Sequence, residues 1–149
     1  MKITVRNQQK SVRFDLRWVK NFAALSLLEC LRRESKTPAM LARLPAVDVA
    51  IISDKAIADV HKRFMQIEGP TDVITFEHGE ILISAETAGE NARRFGNGLN
   101  EELGLCITHG LLHLSGYEDK TAGEARTMRA SQERIVRQCL LAMNKTTKI

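Results

Sequence analysis

His109 and His113 stand four residues apart in the run His109-Gly110-Leu111-Leu112-His113-Leu114, and Glu118 and Asp119 follow just beyond Gly116. Imidazoles one helical turn apart project from the same helix face, with Cβ atoms about 5–6 Å apart, so both rings reach one cation while the backbone stays hydrogen-bonded. A third ligand requires the helix to stop. Continued helix would carry Asp119 roughly 9 Å along the axis and about 240° around from His113. Gly116 accepts the left-handed conformation that ends helices, so the chain turns back and brings Glu118 or Asp119 towards the rings. Such a centre suits metal-assisted hydrolysis, in which a divalent ion polarises an oxygen or acidifies a water. The competing reading is a structural histidine pair on the apolar helix marked by Leu111, Leu112 and Leu114. Gly110 occupies the position at which zinc peptidases carry a glutamate base, which argues against peptide hydrolysis by that route.

The elements that must position these residues follow from periodicity. Lys2 to Asn7 alternates and reads as a strand. Asp15 caps a long helix with Leu16, Val19, Phe22, Ala23, Leu27, Cys30 and Leu31 at helical spacing, ending near Glu34 before Lys36-Thr37-Pro38. Ala46 to Ser53 reads as a second strand, and Asp54 is placed to cap a helix through Ile57, Val60 and Phe64. Gly69-Pro70 turns the chain. Val73 to Phe76 and Glu80 to Ser84 then read as neighbouring strands joined at His78-Gly79. Helices are expected over Ala85–Phe95, closed by Gly96, over Leu99–Ser115, which bears the histidines, and from about Thr121 to Met143, with Arg126, Arg129, Arg134 and Arg137 outward. This order predicts a single α+β domain over residues 1–149, a small mixed sheet of about four strands with helices packed on it.

The chain has 149 residues, 44% hydrophobic and 27% charged, an ordinary globular composition that excludes disordered and membrane-spanning classes. No apolar signal segment is visible near Lys2, Arg6 and Lys10. Cys30, Cys106 and Cys139 are an odd set without close spacing, which suits free thiols in a reducing cytoplasm. Charge is segregated: residues 1–43 carry a net +7, residues 44–104 a net −6 and residues 105–149 a net +3. The basic set Arg6, Lys10, Arg13, Arg17, Lys20, Arg32 and Arg33 can attract an RNA backbone or simply form a solvated surface. His61 and His78 have no partner at useful spacing and read as surface or turn histidines.

The run from His109 to Tyr117 resembles the signature His-Gly-x-Leu-His-Leu-x-Gly-Tyr-Asp-His of the YbeY endoribonucleases, with Glu118 in place of the aspartate and Asp119 in place of the last histidine. Pro70-Thr71-Asp72-Val73-Ile74-Thr75-Phe76 resembles the family's Pro-Thr-Asp/Asn-Val-Leu-Ser-Phe, and Gly79 to Ser84 its Gly-Asp-Ile-x-Ile-Ser strand. The likeness spans about residues 48 to 140. It implies an α+β metal-dependent endoribonuclease acting on single-stranded RNA in the cytoplasm. It further implies a role in rRNA maturation at the small-subunit 3′ end and in ribosome quality control, with rRNA and the small ribosomal subunit as partners and no membrane. The family's three histidines become His109, His113 and Asp119, so the implied centre is two imidazoles and one carboxylate holding one Zn²⁺ per chain, with other divalent metals able to take its place. Most relatives carry an arginine five residues before the proline of the Pro-Thr-Asp block, where this chain has Met65; Lys62 and Arg63 lie nearby.

Three alternatives accompany this reading. Cys106, three residues before His109, shares the general face of the histidines, so a closed structural site of Cys106, His109, His113 and Asp119 competes with small apolar core as its role. Loss of the cation at Met65 favours a non-catalytic ribosome-assembly or RNA-binding factor with a structural metal. Glu118 is either a proton acceptor beside the centre or a solvated loop carboxylate. The oligomeric state is open, a monomer being one expectation.

Overall fold

The computed structural model describes residues 1–32 and 40–147. Its elements run β1 (Lys2–Asn7), α1 (Leu16–Arg32), β2 (Ala46–Ile52), α2 (Asp54–Met65), β3 (Val73–Phe76), β4 (Glu80–Ser84), α3 (Ala85–Phe95), α4 (Leu99–Leu114) and α5 (Ala122–Thr147). The expected end of the first helix near Glu34 and the Lys36-Thr37-Pro38 break fall outside the described residues.

Alternation along the strands sorts the side chains into two layers. Val47, Val49 and Ile51 of β2 and Ile81 and Ile83 of β4 enter the main core with α1, α4 and α5. Ala50, Ile52, Ile74 and Leu82 face the other way and pack with Ile57 of α2 in a smaller cluster. Period-two burial on both faces makes the central strands nearly continuous in apolar residues, as a covered sheet requires. The four strands lie in the order β1-β2-β4-β3. β1, β2 and β4 run parallel, and β3 pairs antiparallel with β4, Val73 opposite Ile83 and Thr75 opposite Ile81. β3 therefore forms one edge of a mixed sheet in a single α+β domain. Gly79, at φ +106°, makes the β3–β4 turn possible, since a Cβ there would stand 2.6 Å from the Ala46 carbonyl oxygen.

Caps explain most helix starts. The Asp15 carboxylate accepts from the Trp18 amide at 3.0 Å. α2 corrects the expectation for Asp54: the cap is Ser53, whose hydroxyl accepts from the Ala56 amide at 3.1 Å. Asp54 is the first helical residue, and its carboxylate instead accepts from the hydroxyls of Ser84 and Thr87, tying the N-termini of α2 and α3 together. α5 begins in a capping box in which the Glu124 amide donates to Thr121 Oγ1 and the Thr121 amide donates to Glu124 Oε1, each at 3.1 Å. It runs to Thr147, one turn beyond the expected end at Met143.

α4 is the central helix. Gly104 meets the ring of Phe22 on α1, where an added Cβ would lie 2.8 Å from Cε1, and Gly110 meets Ile81 of β4, where it would lie 2.8 Å from Cδ1. The absence of side chains at these two positions lets α4 sit close to α1 and to the sheet. The position that argued against a peptidase base is thus a packing glycine.

Candidate metal centre

α4 ends in a Schellman motif. The Gly116 amide donates to the His113 carbonyl and the Tyr117 amide to the Leu112 carbonyl, each at 3.0 Å, and Gly116 takes φ +101°. The same turn places the Tyr117 carbonyl 3.0 Å from His113 Nδ1. A carbonyl only accepts, so Nδ1 carries the proton and Nε2 presents a lone pair. His109 Nδ1 lies 2.8 Å from Gln132 Oε1 on α5, and an N–H donated to that oxygen again leaves Nε2 as the lone pair.

The two Nε2 atoms are 3.1 Å apart. Asp119 Oδ2, returned by the Gly116 turn, stands 3.7 Å from His109 Nε2 and 3.6 Å from His113 Nε2. In the neutral tautomers that Tyr117 and Gln132 select, three lone-pair atoms face one another. That arrangement is repulsive by itself and becomes favourable around a cation. A tetrahedral ion with bonds of about 2.0–2.2 Å to nitrogen and oxygen requires donor separations of about 3.3–3.6 Å, close to the three distances found. His109, His113 and Asp119 form a group able to hold a metal ion. The histidine side chains are 27% and 25% exposed, which leaves the centre open on one side.

Cys106 is excluded from this group. It is 2% exposed within the main core, and burial, with the charges of Asp72 and Glu102 adding, pushes its thiol well above the ordinary value. Cys139 is likewise pushed up to about 12, chiefly by burial. Both thiols therefore stay protonated and poor as ligands.

A groove of about 320 Å³ opens over the histidines between α4, edge strand β3 and the end of α2. Glu118 lines it, as do Thr71 and Thr75. His61, read from the sequence as an ordinary surface histidine, also lines it. Its Nδ1 bonds the Gly69 carbonyl at 2.9 Å, which leaves Nε2 an acceptor without a partner among the described residues. On α2, His61 and Met65 face the groove. Lys62 does not line it; its ammonium lies 3.5 Å from Glu68, and Arg63 is exposed elsewhere. His78 behaves as expected of a turn residue, stacked on Phe76 and 3.5 Å from Glu80. The basic residues of β1 and α1 are exposed, but β1 is the sheet edge opposite β3.

Gln132 is the contact that sequence reasoning missed. Twenty-three residues separate it from His109, and it shares a helical stripe with Met128 and Ile135 that reads as ordinary core.

The family model described as Endoribonuclease YbeY matches residues 4–140 of the chain. An Endoribonuclease YbeY from Syntrophus aciditrophicus is 29% identical over 91% of this chain and 88% of its own length. One from Bacteroides thetaiotaomicron is 34% identical over 62% of this chain and 72% of its own. A solution structure of a Thermotoga maritima protein superposes with a TM-score of 0.67 at 23% identity, covering 97% of this chain and 93% of the other, a likeness of fold.

Proposed function

Because the chain belongs to the YbeY endoribonuclease family, we propose that it is a metal-dependent endoribonuclease whose metal is held by His109, His113 and Asp119. Residues 1–149 act as one catalytic domain in this reading. The carrying observation is the convergence of three lone-pair donors within 3.7 Å, two of them, His109 and His113, on side chains that line an open groove. The substrate is single-stranded RNA, whose backbone can descend into a groove walled by helices and a strand edge, whereas duplex RNA is read across its broad outer surface. The reaction belongs to rRNA maturation at the small-subunit 3′ end and to ribosome quality control, with the small ribosomal subunit as partner, in the cytoplasm. No described helix is long and apolar enough to cross a membrane.

Zinc, one per chain, is the proposed metal, because two imidazoles suit it and a carboxylate oxygen completes three protein ligands with a position left open. When bound, the ion supplies Lewis-acid polarisation of the phosphodiester. The chain's own residues do the rest. The Tyr117 carbonyl and Gln132 amide orient the two imidazoles so that both Nε2 atoms point to the centre. Asp119 lowers the net charge there by one. His61 Nε2, an acceptor on the facing wall, is placed to take a hydrogen bond or a proton from a ribose hydroxyl or a water. Glu118 offers a second acceptor nearer the ligands.

A non-catalytic RNA-binding assembly factor with a structural metal is the second reading, favoured by Met65, which puts an uncharged side chain on the groove wall. The deciding experiment measures metal per chain and cleavage of structured ribosomal RNA for the wild type, His113→Ala and Asp119→Ala. The nuclease reading expects about one metal per chain in the wild type, and loss of both metal and cleavage in the variants. Tight RNA binding without cleavage by the metal-loaded wild type would establish the second reading instead.

A further inference from the structure

We propose that Arg129 grips a phosphate of the RNA substrate beside the metal centre, from the side of α5. The centre lies between two cavities. The large groove presents Glu77 and Glu118 and no lysine or arginine. On the other side of His109, a cavity of about 140 Å³ is lined by His109, Asp119, Ala125, Met128, Arg129 and Gln132. Arg129 is thus the one cationic side chain lining either cavity among the described residues.

Electrostatics makes that position consequential. Each phosphodiester brings a negative charge, the Asp119 carboxylate cancels one charge of a divalent ion, and Glu77 and Glu118 add negative potential along the groove. An RNA backbone bound against this set needs a cation that is not itself a metal ligand. Arg129 is placed by the element that already supports the site, three residues before Gln132, whose amide holds His109, so the two share a helix face. Its guanidinium enters no ion pair among the described residues, and it is exposed. A planar fork of five N–H donors matches two oxygens of one phosphate, which a lysine ammonium does not. Arg126, Arg134 and Arg137 on the same helix are also exposed but line neither cavity.

The identity of the substrate here rests on the nuclease reading, and the test separates the two. Binding of a short fluorescent 2′-O-methyl RNA, which cannot supply an attacking 2′-hydroxyl, is followed by anisotropy across salt concentrations with metal-loaded protein. Cleavage of the unmodified RNA, metal per chain and melting temperature are measured alongside. Arg129→Ala is expected to bind about tenfold more weakly, to flatten the salt slope by about 0.7 as one single-strand phosphate contact is lost, and to lose about 10- to 100-fold in kcat/KM. Metal content and melting temperature should stay unchanged. Arg129→Lys should restore the slope but only part of the cleavage, and Arg137→Ala should match the wild type. Wild-type affinity and slope in Arg129→Ala, beside an active wild type, would overturn the role of Arg129 and leave the nuclease reading standing. An Arg129-dependent slope in a wild type that never cleaves would do the reverse. A wild type that neither binds nor cleaves overturns both, and loss of metal in Arg129→Ala would reassign the residue to a structural role.

Discussion

At the scale of the residue, the centre depends on which ring nitrogen carries a proton. His113 Nδ1 is committed by a backbone carbonyl that substitution of the side chains around it leaves in place, whereas His109 Nδ1 depends on the Gln132 side chain. Gln132→Leu removes that acceptor with little change in volume. We expect it to weaken metal affinity by about 10- to 100-fold, the usual cost of losing an outer partner of a metal-binding histidine, while the chain stays folded. Competition with a chromophoric chelator reads the affinity, and an unchanged constant would mean that the His109 ring is held by packing alone. Asp119, His109 and His113 could be anticipated because one helix turn and one glycine bring them together. Gln132, His61 and Arg129 could not, because they arrive from helices other than α4, Gln132 and Arg129 from α5 and His61 from α2.

At the scale of the element, α4 must approach the sheet closely enough for its histidines to lie under β3. Gly110 permits this. Gly110→Ala would set a Cβ 2.8 Å from Ile81 Cδ1 and 3.0 Å from its Cγ2. Overpacking of this kind costs about 1–3 kcal/mol, a fall in melting temperature of roughly 2–10 °C for a chain of this size. The clash is specific, so the Gly110→Ala penalty should shrink in an Ile81→Ala background, a coupling that a double-mutant cycle measures. Additive penalties would show that the helix adjusts elsewhere. The same element reasoning accounts for the Ser53 correction: Ser53 and Asp54 both have capping side chains, and the choice fell to Ser53 because Asp54 is drawn to the hydroxyls of Ser84 and Thr87 on a neighbouring helix start.

At the scale of the whole molecule, one acidic group is held at a cost. Glu102 is buried in α4, and its carboxyl lies above its ordinary value of 4.5, raised chiefly by burial, lowered by a hydrogen bond from Asn97 and raised again by the charge of Asp72. A raised value in the folded state means that the folded chain binds a proton more tightly than the unfolded chain. Stability is therefore lost as pH climbs from about 4.5 through the folded-state value, and the penalty is fully present above it. Glu102→Gln, which keeps a carbonyl oxygen for Asn97, should melt at a higher temperature than the wild type at pH 8, with the advantage gone near pH 4. A Gln variant less stable at pH 8 would show that the charged form is favoured by the fold after all.

Local sequence determined the helix bearing His109 and His113, the glycine that ends it, the strand pattern and the α+β class, because periodicity and capping act over a few residues and are written in neighbouring positions. The YbeY likeness rested on the same short motifs. What only the tertiary structure decided is which distant side chains meet the centre. The packing of α5 on α4 supplies Gln132 and Arg129, the placement of α2 beside β3 turns His61 and Met65 into the groove while Lys62 and Arg63 face away, and burial in the core removes Cys106 from the ligand set. These outcomes depend on the relative position of whole elements, which is set by the summed burial of many side chains and by close contacts such as Gly110 on Ile81, and no spacing along the chain encodes them.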